Sequence, residues 1–160
     1  MLTKFLYTIL IFLTTAQLHA CNSNNELEPI GSLENSNNSK IPDSMKIKIT
    51  INDTVITATL NSSQAAKDFV SLLPIKLTLD DYAQTEKVSK LSKRLSTTDS
   101  PSGYDPDVGD ITYYAPWGNL AIFYNDFGYA EGLIKLGKIN GDISLFKSAS
   151  KLDAFFEIAQ

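Results

Sequence analysis

Cysteine, histidine and arginine are nearly missing from this sequence of 160 residues, which contains one of each. One cysteine cannot form a disulfide framework or a thiolate zinc site. A nucleic-acid partner is excluded as well, because the formal charge is −4 and such binders need a basic face to meet phosphates. Apolar residues make up 43% of the chain, which is enough for the core of one ordinary domain and excludes a wholly disordered protein.

Residues 1–20 have the three-part layout of a secretory signal peptide. A short start containing Lys4 precedes a compact apolar run at residues 5–13, and a more polar stretch ends at Ala20. The alternative is a membrane-spanning helix, but a span needs about 20 apolar residues and this run is far shorter. The sequence therefore predicts an exported protein.

The segment Leu18-His19-Ala20-Cys21 resembles the lipobox of bacterial lipoproteins, in which the cysteine after the cleavage site is acylated. The alternative is ordinary cleavage after Ala20, which leaves a free thiol. The lipobox interpretation is favoured because the chain has no second cysteine to pair with Cys21. It predicts a lipoprotein held at the membrane of the bacterial envelope by lipid on Cys21. Asn22 is not the acidic residue that signals inner-membrane retention, which favours the outer membrane in a double-membraned cell.

Cleavage at this point also removes the histidine, His19, and leaves a mature chain without imidazole. Nucleophilic catalysis of the Ser-His-Asp or Cys-His type is therefore excluded, as is a histidine-ligated metal site. Three acidic residues, Asp105, Asp107 and Asp110, are spaced like calcium ligands. The glycine and the distal glutamate of a calcium loop are not at the required positions, so a solvated turn is the preferred interpretation. We expect no metal and no cofactor.

The rest of the chain divides at residue 45. Residues 22–44 are rich in Asn and Ser, contain no aromatic residue and show no periodic apolar pattern. Such a segment buries too little apolar area to offset the entropy of ordering it. The predicted organisation is a signal peptide at 1–20, a lipidated cysteine and flexible tether at 21–44, and a folded domain at 45–160.

Within the domain, alternation of apolar and polar residues predicts short strands. A hairpin is expected at residues 46–60, a strand at 75–79, a second hairpin around Pro116-Trp117-Gly118-Asn119, and further strands at 133–138 and 154–159. A helix should begin at Ser62 or Ser63 and run through Leu73. Residues 80–109 are mostly polar, and one short strand or helix is expected near 88–95. The pattern indicates a mostly β protein, a barrel with a packed lid.

Three segments make the sequence similar to a known family. They are Gly109-Asp110-Ile111, the segment Tyr-Ala-Pro-Trp-Gly-Asn-Leu-Ala-Ile-Phe-Tyr at 114–124, and Leu-Ile-Lys-Leu-Gly-Lys-Ile at 133–139. Together they resemble the cyclophilin-like proteins of bacteria, a group of small relatives of the cyclophilins. The resemblance implies a closed β-barrel of about eight strands with one or two short helices. It implies no agreed catalytic role.

Peptidyl-prolyl isomerisation is the enzyme activity that the resemblance suggests. Prolyl isomerases of the cyclophilin type use an arginine within Phe-His-Arg, whereas Arg94 of this chain lies within Lys-Arg-Leu. A guanidinium that donates to the prolyl nitrogen would lower the rotation barrier, which is about 18–20 kcal/mol. The alternative is that Arg94 is a solvated surface cation.

Aromatic residues are concentrated between Tyr104 and Tyr129, and Trp117 stands out because it lies at a predicted hairpin tip. It can bind a ligand, or it can fold back and plug the barrel end. Aromatic-lined pockets with few polar groups are common at barrel mouths. The predicted ligand-binding residues are Tyr82, Arg94, Tyr104, Trp117 and Asn119. The leading hypothesis is a binding module for a small molecule or peptide; the alternatives are a weak prolyl isomerase acting on envelope proteins and a structural or assembly partner.

Overall fold

The computed structural model describes residues 45–160, which form ten strands, one α-helix and one 3₁₀ helix. The strands are β1 Met45–Ile51, β2 Thr54–Leu60, β3 Ile75–Tyr82, β4 Glu86–Lys90, β5 Gly103–Tyr104, β6 Asp110–Tyr114, β7 Asn119–Phe123, β8 Ala130–Glu131, β9 Leu133–Asn140 and β10 Lys151–Ile158. The helices are α1 Gln64–Val70 and the 3₁₀ helix Ser144–Lys147. The predicted signal peptide, Cys21 and the predicted tether lie outside the described residues.

Eight of the strands close into one antiparallel barrel, as the family resemblance implies. Their order around the barrel is β1-β10-β3-β4-β7-β6-β9-β2, and β2 pairs with β1 to complete the circle. Closure leaves none of these eight strands with an unpaired edge, so the barrel offers no open edge for pairing with another chain. The two remaining strands, β5 and β8, pair with each other in a separate small sheet.

The first hairpin illustrates how alternation builds the barrel interior. Ile47, Ile49 and Ile51 of β1 are fully buried, while Lys48 and Thr50 between them are half-buried. Asn52 adopts a positive φ of 52° in the turn to β2, a conformation that Asn tolerates better than most residues. Each of these isoleucines contributes about 1.5–3 kcal/mol through burial.

Helix α1 is shorter than predicted. Ser63 caps it by accepting a hydrogen bond from the backbone N–H of Ala66, as expected, and Phe69 is buried against Phe156 with ring centroids 6.0 Å apart. The helix ends at Val70 instead of continuing through Leu73. The N–H groups of Leu72 and Leu73 bond to carbonyls three residues back, those of Phe69 and Val70, which tightens the chain into turns before Pro74.

The strand in the polar segment after β3 is β4, which begins two residues before the predicted region and ends at Lys90. Strand β3 continues to Tyr82, three residues beyond its predicted end, and β10 begins at Lys151 instead of residue 154. These extensions carry polar side chains that face solvent, such as Asp80 of β3 and Lys151 and Asp153 of β10. The second hairpin forms at the predicted place, between β6 and β7.

One part of the barrel wall is apolar on both faces. In β7, Leu120 and Ile122 are buried in the barrel interior, while Ala121 and Phe123 are buried on the outside with Leu133. The outer layer is completed by partly buried residues that include Tyr104 and Ala130 of the small sheet. A strand covered on both faces reads as a continuous apolar run, which accounts for the sequence of residues 119–124. Within residues 45–160, no helix has the length and apolar character needed to cross a membrane.

Candidate functional site

The outer face of this doubly covered wall carries a pocket of about 200 Å³. Its floor is formed by side chains of β4, β6, β7 and β9, and its rim is formed by the end of β3, the β6–β7 turn and the segment leading into β8. The lining residues are Tyr82, Glu86, Val88, Tyr114, Trp117, Asn119, Ala121, Phe123, Phe127, Ala130 and Leu133. Most of these side chains are apolar or aromatic, which is usual for small-molecule sites.

Strand register brings the floor residues together. Glu86 lies opposite Phe123, and Val88 lies opposite Ala121, where β4 pairs with β7. Residues two apart in a strand face the same side of the sheet. The floor is therefore a consequence of barrel pairing, and its shape is set before any ligand arrives.

Trp117 stands on the rim, at the tip of the β6–β7 hairpin. Its side chain is 50% exposed, and its ring packs edge-on against Tyr82, at 5.8 Å between centroids, and against Tyr114, at 5.4 Å. Gly118 makes the turn possible with a φ of 73°, which glycine adopts without strain. The sequence left two placements open for Trp117, an exposed hairpin tip or a plug of the barrel end. In the structure Trp117 lies at the exposed tip.

Arg94 supports this turn from outside the pocket. Its guanidinium donates to the carbonyl oxygen of Ala115 at 2.7 Å and to that of Pro116 at 3.4 Å. Arg94 does not line the pocket. The structure thus separates Arg94 from Tyr82, Trp117 and Asn119, the three predicted ligand-binding residues that do line it.

Tyr104 is also outside the pocket lining, although it packs against the same outer layer. Its hydroxyl donates to Asp110 Oδ2 at 2.7 Å and accepts from Lys135 Nζ at 2.9 Å. Lys135 Nζ lies 2.9 Å from the other oxygen of Asp110, whose side chain is fully buried. Burial raises the pKa of the Tyr104 phenol, and the hydrogen bond from Lys135 opposes the change. This network fastens β5 onto the barrel wall.

The same network corrects the view of Asp105, Asp107 and Asp110 as a solvated turn. Asp110 is buried and bonded to a lysine and a tyrosine, and it also accepts from the backbone N–H of Asp107 at 3.1 Å. Within residues 45–160, no three His, Cys, Asp or Glu side chains are grouped to hold a metal ion.

Glu86 is the pocket residue of greatest chemical interest, and it is not among the residues predicted from the sequence. Burial raises the pKa of its carboxyl to about 7, and no hydrogen bond or ion pair offsets that effect. In an apolar surrounding the charged form of a carboxyl is disfavoured. The signal that was available is the spacing to Val88, which places an acidic residue in phase with an apolar one. Tyr114, Phe123 and Phe127 were not predicted either, because the strands and the loop that contain them meet only in the folded barrel.

A second buried polar cluster lies inside the barrel and serves a different purpose. Lys87 is fully buried, and its Nζ lies 2.7 Å from Asp81 Oδ2 and donates to the carbonyl oxygen of Ala149. Tyr124 donates its hydroxyl to the same carboxylate at 2.5 Å. These hydrogen bonds hold the pKa of Asp81 below its usual range. The cluster joins β3, β4 and the segment before β10. Its lysine, carboxylate and phenol already bond to one another, which indicates a structural role.

Comparison with known proteins agrees with this architecture. The cyclophilin-like family matches residues 49–157. A hypothetical protein from Archaeoglobus fulgidus, known from its solution structure, is similar with a TM-score of 0.55 and 17% sequence identity, over 73% of this chain and 96% of that one. At that identity the likeness concerns the fold alone. No curated protein sequence matches this chain. The family match spans most of the chain and nearly all of the barrel, and the chain therefore belongs to the cyclophilin-like family.

Proposed function

We propose that the barrel is a binding module, and that its ligand occupies the pocket on the outer wall between Glu86 and Trp117. The observation that carries the proposal is the pocket itself, which is concave, preformed by strand register and lined by aromatic side chains with few polar groups. Sites that bind small molecules have this composition. A purely structural or assembly role would not require such a cavity.

The size of the pocket limits the ligand. At about 200 Å³ it is smaller than the roughly 300–1,000 Å³ of sites for drug-sized molecules. A small molecule of a few heavy atoms or a single side chain of a peptide fits this volume. Asn119 is the polar group that can fix its orientation, because an amide both donates and accepts hydrogen bonds.

A weak prolyl isomerase is the alternative, and the surroundings of Arg94 give it less support. The guanidinium already donates to two carbonyl oxygens of the β6–β7 turn. Within residues 45–160, no lysine or arginine lines the pocket, so a prolyl amide bound there would have no cationic donor from this chain.

The aromatic rim provides the test. Trp117→Ala should lower affinity for a pocket ligand at least tenfold, because the ring closes one side of the pocket, while the melting temperature should change by less than about 3 °C for a half-exposed side chain. Ligands are found by screening small amines and alcohols by NMR chemical-shift changes. Phe155→Ala is the matched control, because Phe155 is 40% exposed on β10 and does not line the pocket. Unchanged affinity in Trp117→Ala would overturn the proposal, and a large loss of stability would identify Trp117 as a core residue.

We also propose that this module is displayed at the bacterial envelope by lipid on Cys21. The support is the sequence of residues 1–21, with its apolar run and its unpaired cysteine directly after a lipobox-like segment. In a double-membraned cell the proposed location is the outer membrane. A module on a membrane would meet its ligand outside the cytoplasm.

A further inference from the structure

Glu86 carries a single carboxyl group into a pocket whose other lining residues are mostly aromatic or apolar. The other titratable groups that face the pocket are two phenols, Tyr82 from β3 and Tyr114 from β6, while β7, β8 and β9 contribute none. Lys87, the next residue, points to the opposite face of the wall and is paired with Asp81. Within residues 45–160, the pocket therefore contains a carboxyl group and no cation.

Removing a carboxylate from water without a counter-ion is costly, and the cost falls when an opposite charge arrives. Desolvation is what raises the pKa of Glu86 to about 7, so a substantial fraction of the carboxyl is ionised at neutral pH. An anionic ligand would be repelled by that fraction. A cationic ligand would be attracted by it and would stabilise the charged form.

The walls of the pocket suit a cation with apolar substituents. Five aromatic side chains surround the space: Tyr82, Tyr114, Trp117, Phe123 and Phe127. Three pairs of these rings pack against each other with centroids 5.4–5.8 Å apart, so the aromatic lining is continuous along the rim and floor. Aromatic faces attract ammonium groups through their quadrupoles, and aromatic cages recognise quaternary ammonium ligands in this way.

We propose that this pocket binds an organic ammonium ion, with the Glu86 carboxylate as counter-ion and the aromatic rim enclosing the alkyl groups on nitrogen. The proposal rests on the proposed binding function and names the chemical class of its ligand. The volume admits a small ammonium ion, either free or at the end of a side chain.

The test compares choline with 3,3-dimethylbutan-1-ol, in which carbon replaces the charged nitrogen. Both are titrated into the purified protein at pH 8, with the fluorescence of Trp117, the one tryptophan of the chain, and calorimetry as readouts. We expect choline to bind at least tenfold more tightly than the alcohol. In Glu86→Gln the two affinities should become equal within about threefold. Glu157→Gln removes the same charge from a half-buried site on β10, outside the pocket, where Glu157 lies 3.8 Å from Lys48, and it should keep the preference.

The pH dependence gives an independent readout. Choline does not titrate in this range, so its affinity should follow ionisation of Glu86 and fall by up to about tenfold per unit below pH 7. Glu86→Gln should abolish that fall. A choline affinity that stays constant in the wild-type protein between pH 5 and pH 8 would overturn the inference, because Glu86 would then not be the counter-ion of the bound ammonium.

The outcomes separate this inference from the function on which it rests. Equal binding of choline and the alcohol in both wild type and Glu86→Gln would overturn the ammonium proposal and leave the apolar binding module standing. Failure of both probes and of every compound in the screen to bind would overturn both.

Discussion

Glu86 and Lys87 are neighbours in β4, and the alternation of the strand sends their side chains to opposite faces of the barrel wall. Lys87 enters the interior, where Asp81 lies 2.7 Å from its Nζ. Glu86 faces the outer pocket, where burial raises its pKa to about 7. Buried charges are normally paired because desolvation is expensive. Lys87 satisfies that rule within the chain, and for Glu86 the ligand proposed above would satisfy it.

This difference has a measurable consequence for stability. The pKa of Glu86 rises from 4.5 to about 7 on folding, so the folded state binds more protons than the unfolded state between these values. Stability contributed by this group therefore falls as pH rises from about 4.5 to 7. Allowing for solvent screening, we expect the free energy of unfolding to fall by about 1–2 kcal/mol over this range. Glu86→Gln should abolish this pH-dependent loss.

Urea unfolding of wild type and Glu86→Gln at pH 5 and pH 8 measures this effect. The difference between the two proteins isolates Glu86 from carboxylates whose pKa is lowered, such as Asp81 and Asp153. Glu86→Gln should gain stability relative to wild type as pH rises from 5 to 8, whereas Glu157→Gln should not. A constant difference across this range would show that Glu86 has no raised pKa.

At the scale of elements, the predictable and unpredictable parts of the site separate clearly. Alternation predicted the β1–β2 hairpin, and the turn sequence Pro116-Trp117-Gly118-Asn119 predicted the β6–β7 hairpin, because each hairpin is local in sequence. The turn sequence also placed Trp117 at the hairpin tip. The sequence did not show that β5 and β8, which are separated by 25 residues, pair with each other to cover the outer wall. Without that cover, Glu86 and Phe123 read as ordinary strand residues, and the pocket between them has no signal in any single segment.

The β6–β7 turn is the element on which the rim depends, and Arg94 holds it by two hydrogen bonds to its carbonyl oxygens. Arg94→Ala should free the turn, increase acrylamide quenching of Trp117 fluorescence at least twofold, and weaken ligand binding severalfold. Stability should fall by only about 0.5–1.5 kcal/mol, because the lost bonds are exposed to solvent. Lys93→Ala, which removes a neighbouring exposed cation, is the control and should change none of these quantities.

An enzymatic role of Arg94 would give a different pattern. If the guanidinium acted on a prolyl bond, Arg94→Ala would abolish isomerisation of a proline peptide while quenching of Trp117 stayed at the wild-type level. We expect the opposite combination, with quenching changed and no isomerase activity to lose.

At the scale of the whole molecule, the barrel and the N-terminal region pose separate problems. The closed barrel of eight strands is formed by residues 45–160. Membership of the cyclophilin-like family follows from the match to residues 49–157. The proposed location depends instead on residues 1–21, which lie outside the described part of the chain. A closed barrel carries no information about its compartment. Attachment must therefore be tested by chemistry at Cys21.

Expression of the full chain in a bacterial host with radiolabelled palmitate provides that test. If Cys21 is acylated, the wild-type protein should carry label and partition into membranes, and Cys21→Ser should carry none. Ordinary cleavage after Ala20 would instead give an unlabelled protein with one thiol that reacts with a maleimide reagent, since the chain has no other cysteine. Equal labelling of both proteins would also overturn the proposal. Acylation would mean that the pocket faces its ligand from a membrane surface, and a free thiol would mean that the barrel is released after export.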